Sequence, residues 1–255
     1  MTARQIRFFS LLRRELYRFW KIKRQTVAAP LLESFLYISV FGAALGSRVG
    51  NLHGVDYVVF IVPGLVLMAW AMNAYMNNAS SILQQKMERA IDDQLTSPAS
   101  PLELLMAFSL GGFVRGGMVS MLTLAGSALL VDVPFEHPFV LALSLALSGM
   151  FFAQLGVFAG LRAVNWDDIT FIQTFLLQPL IFVGGVFYSA TLLPAPFDTI
   201  TKFDPIYYMI GLVRYGTIGF HEINIPLALG ALLLVTAGLV ALNVRLFTTG
   251  WRLRA

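Results

Sequence analysis

The chain has 255 residues, 57% of them hydrophobic and 13% charged, with a formal net charge of +4 and a mean hydropathy of +0.73. Soluble domains run at about 45–50% apolar and about 25% charged, so this composition points to a lipid bilayer and away from a larger soluble core. Cysteine is absent, which excludes disulfides, zinc–thiolate sites and thiol catalysis.

Residues 1–26 form the first segment. At about 100° per residue, Phe8, Phe9, Leu12, Leu16, Phe19 and Trp20 share one helical face, and Arg7, Arg14, Arg18 and Lys21 share the opposite one. An aromatic face against a basic face predicts a cytoplasmic amphipathic helix lying in the membrane interface, either as an anchor or as a lever on a partner. The first long apolar run begins near Val27, too deep for a signal peptide, and reads as a retained transmembrane helix.

Residues 27–255 read as one all-α polytopic membrane domain of about six spans, each near the ~20 residues that a bilayer requires. The runs are Val27–Gly46, Tyr57–Asn77, Leu104–Val131, Phe139–Leu161, Phe171–Ser189 and Pro226–Phe247. The third is long enough to tilt or to begin as a surface helix. Basic residues crowd one side: those between Arg4 and Arg24, then Lys86, Arg89, Arg162, Arg245, Arg252 and Arg254. The other side carries Arg48, Lys202 and Arg214. The asymmetry places both termini in the cytoplasm, so the net charge reads as a topology signal and not as a nucleic-acid surface.

Between the second and third spans lies "SSILQQKMERAIDDQLTSPASPLE", residues 80–103. Leu83, Met87, Ile91 and Leu95 recur every four residues among polar neighbours, which predicts a short amphipathic cytoplasmic helix, with Arg89 and Asp93 paired across one turn. Pro98 ends it, and Ser100, Pro101 and Glu103 have the spacing of a fresh capped helix start. A plain connection needs only a few residues, so a docking surface is the better account.

Glu33 in the first span and Arg115 in the third are ionisable groups at membrane depth, expected to pair with each other or to line a transport path. Gly112 and Gly116 have the spacing that lets helices approach closely; Asn73, Asn77 and Asn78 read as interfacial. From Gly184 to Phe220 the prolines Pro194, Pro196 and Pro205 break the apolar sequence into pieces too short to span. These predict a re-entrant external hairpin, or an interfacial loop belted by Tyr188, Tyr207, Tyr208 and Tyr215.

Catalytic patterns are missing. No lysine follows a glycine, so there is no phosphate-cradling GxxxxGK[ST] loop, and neither HExxH nor GxSxG occurs. His53, His137 and His221 are scattered through expected external loops and read as surface residues, not ligands. No catalytic, cofactor-binding or metal site is therefore expected, and transport leads over a membrane enzyme.

Three stretches carry a family resemblance: "MERAIDDQLTSPASPLELL", "PLIFVGGVFYSATLLP" and "FDPIYYMIGLVRYG". Over essentially its full length the chain resembles the ABC-2 type transport permeases, with Asp204 where that family usually has asparagine. The resemblance implies a permease subunit in the bacterial inner membrane, paired with a second permease copy and with two cytoplasmic ATP-binding subunits. It makes Met87, Glu88, Arg89 and Asp92 the coupling contact to those subunits. It further implies an external gate around Gly184, Gly185, Tyr188, Pro205 and Arg214. Relatives export polysaccharides, nodulation factors and hydrophobic drugs, so the expected cargo is amphipathic, lipid-linked or drug-like. The rival reading is a membrane scaffold that recruits a cytoplasmic partner without transport.

Overall fold

The computed structural model describes residues 3–21, 28–46, 48, 50–91 and 98–253. Helix α1 (Ala3–Lys21) is followed by α2 (Ala29–Phe41), which continues into a π-helical turn over Gly42–Gly46. A two-residue hairpin, β1 (Asn51–Leu52) with β2 (Val55–Asp56), leads into α3 (Tyr57–Met87). Then come α4 (Pro101–Ala128), α5 (Pro138–Arg162), α6 (Trp166–Phe171), a second π turn (Ile172–Leu177) and α7 (Gln178–Val183). After a 3-10 turn at Ala190–Leu192 the chain closes with α8 (Phe197–Phe203), α9 (Pro205–Ile218) and α10 (Ile225–Thr249).

Among the described residues four helices are long and apolar enough to cross a membrane: α3, α4, α5 and α10. The runs expected as the first and fifth spans are interrupted helix among the described residues and are not counted with these four. In the fifth, Pro179 lacks a backbone N–H, and the wider π turn just before it reroutes the ladder.

Sequence chemistry sets the helix starts. Ser100 Oγ accepts from the Glu103 N–H at 3.2 Å, and the Ser100 N–H donates back to Glu103 Oε2 at 3.0 Å, the reciprocal cap that the spacing predicts. The third apolar run is thus one continuous helix from Pro101. Asn165 and Asp168 form the same box at α6.

The centre of the bundle is α3, packed between α4 and α5. Small residues allow the approach: a Cβ on Gly116 would lie 2.5 Å from Trp70 Cδ1, and one on Gly112 would enter the Asn78 amide. The GxxxG spacing does mark a close crossing. From α5, Gly149 meets Trp70 and Gly156 meets the Tyr75 carbonyl in the same way. Polar side chains add interhelical bonds: Gln154 donates to Ser109 Oγ at 2.8 Å, and Asn243 donates to Gln154 Oε1 at 2.8 Å, joining α4, α5 and α10.

One element departs from expectation. Residues 84–87 belong to the last turn of α3 and do not start a new helix. The break comes at Glu88 and Arg89, where Arg89 has φ 56°, and helix resumes at Ala90. Leu83, Met87 and Ile91 therefore share no stripe: Leu83 and Ile91 are buried, while Met87 is 56% exposed. Asp92, Asp93 and Leu95 lie outside the described residues.

Candidate functional site

Three places hold the candidate side chains that the sequence points to, spread along α3. At the Met87 end, α1 is fastened to the bundle through Glu15, which is fully buried. Arg14 Nη2 reaches its carboxylate at 2.9 Å, Ser81 Oγ donates at 2.6 Å and Gln85 Nε2 at 3.2 Å. Arg18 donates to the Asn77 carbonyl at 2.5 Å and to its Oδ1 at 2.9 Å, and Arg7 lies 3.9 Å from Glu103. The basic face of α1 is thus in part its docking face, while Phe9, Tyr17 and Trp20 stay exposed. Glu15 was not singled out from sequence; its signal is that it is the one acidic residue in α1.

Lys86 is buried, with its ammonium donating to the carbonyls of Leu161 at 2.8 Å and Ala163 at 2.7 Å, where it caps the end of α5. Met87, Arg162, Val164 and Arg252 border a depression of about 310 Å³ beside it. Val164 is 76% exposed, so apolar and basic groups lie side by side at this end. Nearby, the N–H groups of Val164 and Asn165 hold the Asp168 carboxyl below the usual aspartate range.

Midway, a cavity of about 360 Å³ opens between α2, α3, α4 and the α6–α7 helix. Glu33 and Tyr37 line it from α2, Met68, Met72, Asn73 and Met76 from α3, Arg115 from α4, and Gln173 and Gln178 from the far wall. The expected Glu33–Arg115 pair is not formed, although both side chains line the same space. The buried Arg115 Nε has no hydrogen-bond partner among the described residues. Asn77 and Asn78 are fully buried and not interfacial; Asn78 donates to the Ala153 carbonyl at 2.8 Å.

At the Tyr57 end the five residues expected at a gate come together. Gly185 turns with φ +90°, which favours glycine, and its carbonyl accepts from Arg214 Nη2 at 2.7 Å. The Arg214 guanidinium is buried and sits 3.9 Å from the centre of the Phe60 ring. Tyr188 donates to the Val183 carbonyl at 2.6 Å, and Gly184 packs against Ile206 and Tyr207, next to Pro205 at the first turn of α9. A second network lies above. Glu222 accepts from Tyr207 at 3.1 Å and from Ser189, and His53 Nε2 is 3.1 Å from Ser189 Oγ. His53 is exposed, as expected of a surface residue, and also bridges the loops, its ring stacked on Phe220 at 4.3 Å.

A bundle of long apolar helices around a cavity lined by both polar and apolar side chains is the build of an integral membrane protein. Residues 6–218 match the family model of the ABC-2 type transporters, and the chain belongs to that family as a transport permease. It is similar to the inner membrane transport permease YadH of Escherichia coli (strain K12), 38% identical over 248 residues, which is 96% of each chain. It is also similar to nodulation protein J of Rhizobium leguminosarum bv. trifolii, 28% identical over 89% of this chain and 87% of that one. Nodulation protein J of Rhizobium meliloti (strain 1021) is 26% identical over 85% of this chain and 83% of its own. Membership of the family implies an ABC ATP-binding partner.

Proposed function

We propose that the chain is the membrane-spanning subunit of an ATP-driven exporter in a bacterial inner membrane, moving an amphipathic, lipid-linked or drug-like cargo. Two copies pair with two cytoplasmic ATP-binding subunits, which hydrolyse the ATP. The observation that carries this reading is the family match over residues 6–218, in a sequence with no phosphate-binding loop of its own.

In this reading residues 27–255 are the transmembrane domain, and residues 1–26 are an interfacial helix attached to it. The runs Val27–Gly46 and Phe171–Ser189, the first and the fifth, complete six spans. The basic Met87 end faces the cytoplasm, with both termini. The turn at Met87, Glu88 and Arg89, with Asp92 beyond it, docks the ATPase; the exposed Met87 and Val164 beside Arg162 and Arg252 support a docked surface there. The α8–α9 hairpin, fixed by Arg214 on Gly185, closes the exit. ATP moves the spans only through the ATPase's differing affinity for the two states of this chain.

The test is a detergent pull-down of the tagged chain from its own host, as wild type and as Glu88→Lys/Arg89→Glu, with an assay of ATP hydrolysis. The expected result is a phosphate-loop ATPase bound to the wild type and weakened about tenfold or more by the reversal, with the chain still monodisperse. A stable wild-type complex with no ATPase in it would instead make the protein a scaffold.

A further inference from the structure

Asp204 forms the corner between α8 and α9 and is only 4% exposed. Its N–H donates to the Thr201 carbonyl at 3.0 Å, and its carbonyl accepts from the Tyr207 N–H at 3.2 Å. Oδ1 caps α9 by accepting from the Ile206 N–H at 2.8 Å. Oδ2 is buried and has no hydrogen-bond partner among the described residues. The ionisable groups on the surrounding elements are engaged elsewhere. Lys202 of α8 pairs with Asp198, and Arg214 of α9 donates to the Gly185 carbonyl. Tyr57, Tyr188 and Tyr208 donate to the carbonyls of Phe187, Val183 and Lys202, and Tyr207 donates to Glu222. Glu136, His137 and His221 meet α9 at its other end, around Tyr215 and Thr217. Burial therefore dominates the carboxyl and pushes it up to about 6, against the smaller pull of the Ile206 N–H.

We propose that Asp204 is a proton-binding site that sets whether the α8–α9 hairpin is held shut: with the proton the corner packs tightly, and without it the buried carboxylate loosens it. This rests on reading that hairpin as the closure of the exit and adds its regulation. The chemistry is one acid–base step, in which water on the outer side delivers a proton to Oδ2 and takes it back. Oδ1 accepts from Ile206 in either form, so the start of α9 tolerates the proton. The charge on an unpaired, buried Oδ2 is what costs energy, and opening the corner to water removes that cost.

The direction follows from the two pKa values. The closed corner binds the proton more tightly than an opened, solvated Asp204, whose value is about 3.9. Opening is thus favoured as pH rises from about 4 to about 6, and levels off above about 7. Those values make the opening constant about tenfold larger at pH 8 than at pH 5. Acid outside the membrane keeps the exit shut.

The experiment is amide hydrogen exchange of the purified full chain in phosphatidylcholine nanodiscs from pH 5 to pH 8, corrected for the intrinsic exchange rate. Protection over residues 197–210 should fall about tenfold across that range, with no matching change over α5. Asp204→Asn keeps the cap acceptor without the charge, so it should hold the pH 5 level of protection throughout. Asp204→Ala should be less protected at every pH, with no pH dependence. A chain with His53→Gln, His137→Gln and His221→Gln should behave as wild type.

A flat wild-type profile overturns the proposal, as does a pH dependence that survives Asp204→Asn. Loss of the dependence in the histidine variant overturns it too and gives the response to a histidine. Neither ATPase nor cargo enters the measurement. A pull-down without an ATPase would therefore sink the exporter reading and leave this result standing, whereas a flat profile would sink the proton site alone.

Discussion

Glu15 shows how a single carboxylate can hold an interfacial helix to a bundle. It collects Arg14, Ser81 and Gln85, and Arg18 lies 3.7 Å away. Glu15→Ala leaves those groups without their acceptor, and the expected cost is about 2–3 kcal/mol, since Arg14 and Arg18 keep partial access to solvent. The readout is a lower thermal midpoint with faster hydrogen exchange across α1. A second prediction concerns pH. The folded-state pKa of Asp168 is depressed by the Val164 and Asn165 N–H groups. Its contribution is thus complete above the unfolded value of about 3.9 and is lost as pH falls through the lower folded value. Amide exchange over Trp166–Phe171 should rise on acidification below that range, and Asp168→Asn should remove the pH dependence. Individual residues were unevenly legible in the sequence. Arg115 stood out because charge is rare in apolar runs, and Arg214 only through the family resemblance. The burial of Glu15, Asn77 and Lys86 did not, because their partners lie 59 to 77 positions away.

Elements were easier to read where their signals are local. The Ser100–Glu103 cap, the broken sequence after Gly184 and the long apolar helices follow from spacing alone. The short helix expected around Met87 and Ile91 did not, because the four-residue recurrence of Leu83, Met87 and Ile91 runs straight across the left-handed turn at Arg89. Periodicity carries no sign of a turn that non-glycine residues build. The packing of α3 makes its own prediction. A Cβ on Gly156 would run into the Tyr75 carbonyl, whereas one on Gly230 in α10 meets nothing within 4 Å. Gly156→Leu should abolish a monodisperse product in size-exclusion chromatography. Gly230→Ala should elute as wild type with an equal or higher thermal midpoint, since alanine is the better helix former by about 1 kcal/mol.

For the whole molecule, the distribution of lysine and arginine yields an orientation that chemistry can test directly, because the chain has no cysteine to remove first. Asp198→Cys, beyond the Tyr57 end, should react with a membrane-impermeant maleimide in intact spheroplasts. Thr249→Cys, at the Met87 end, should react only after lysis; the reverse pattern would invert the topology. α3 also reaches across the entire bundle. Its 31 residues span about 46 Å, more than the ~30 Å of a hydrocarbon core. At one end it carries the turn at Glu88. At the other, a Cβ on Gly64 would stand 2.8 Å from Val186 Cα, and the Tyr57 hydroxyl donates to the Phe187 carbonyl at 3.1 Å. A push at Glu88 that tips this rod by about 5° sweeps its far tip through roughly 4 Å, if the rod stays stiff over that length. Gear and latch would then be the same piece of metal. Pro63, one residue before Gly64, is the joint at which such a stroke could be absorbed or passed on.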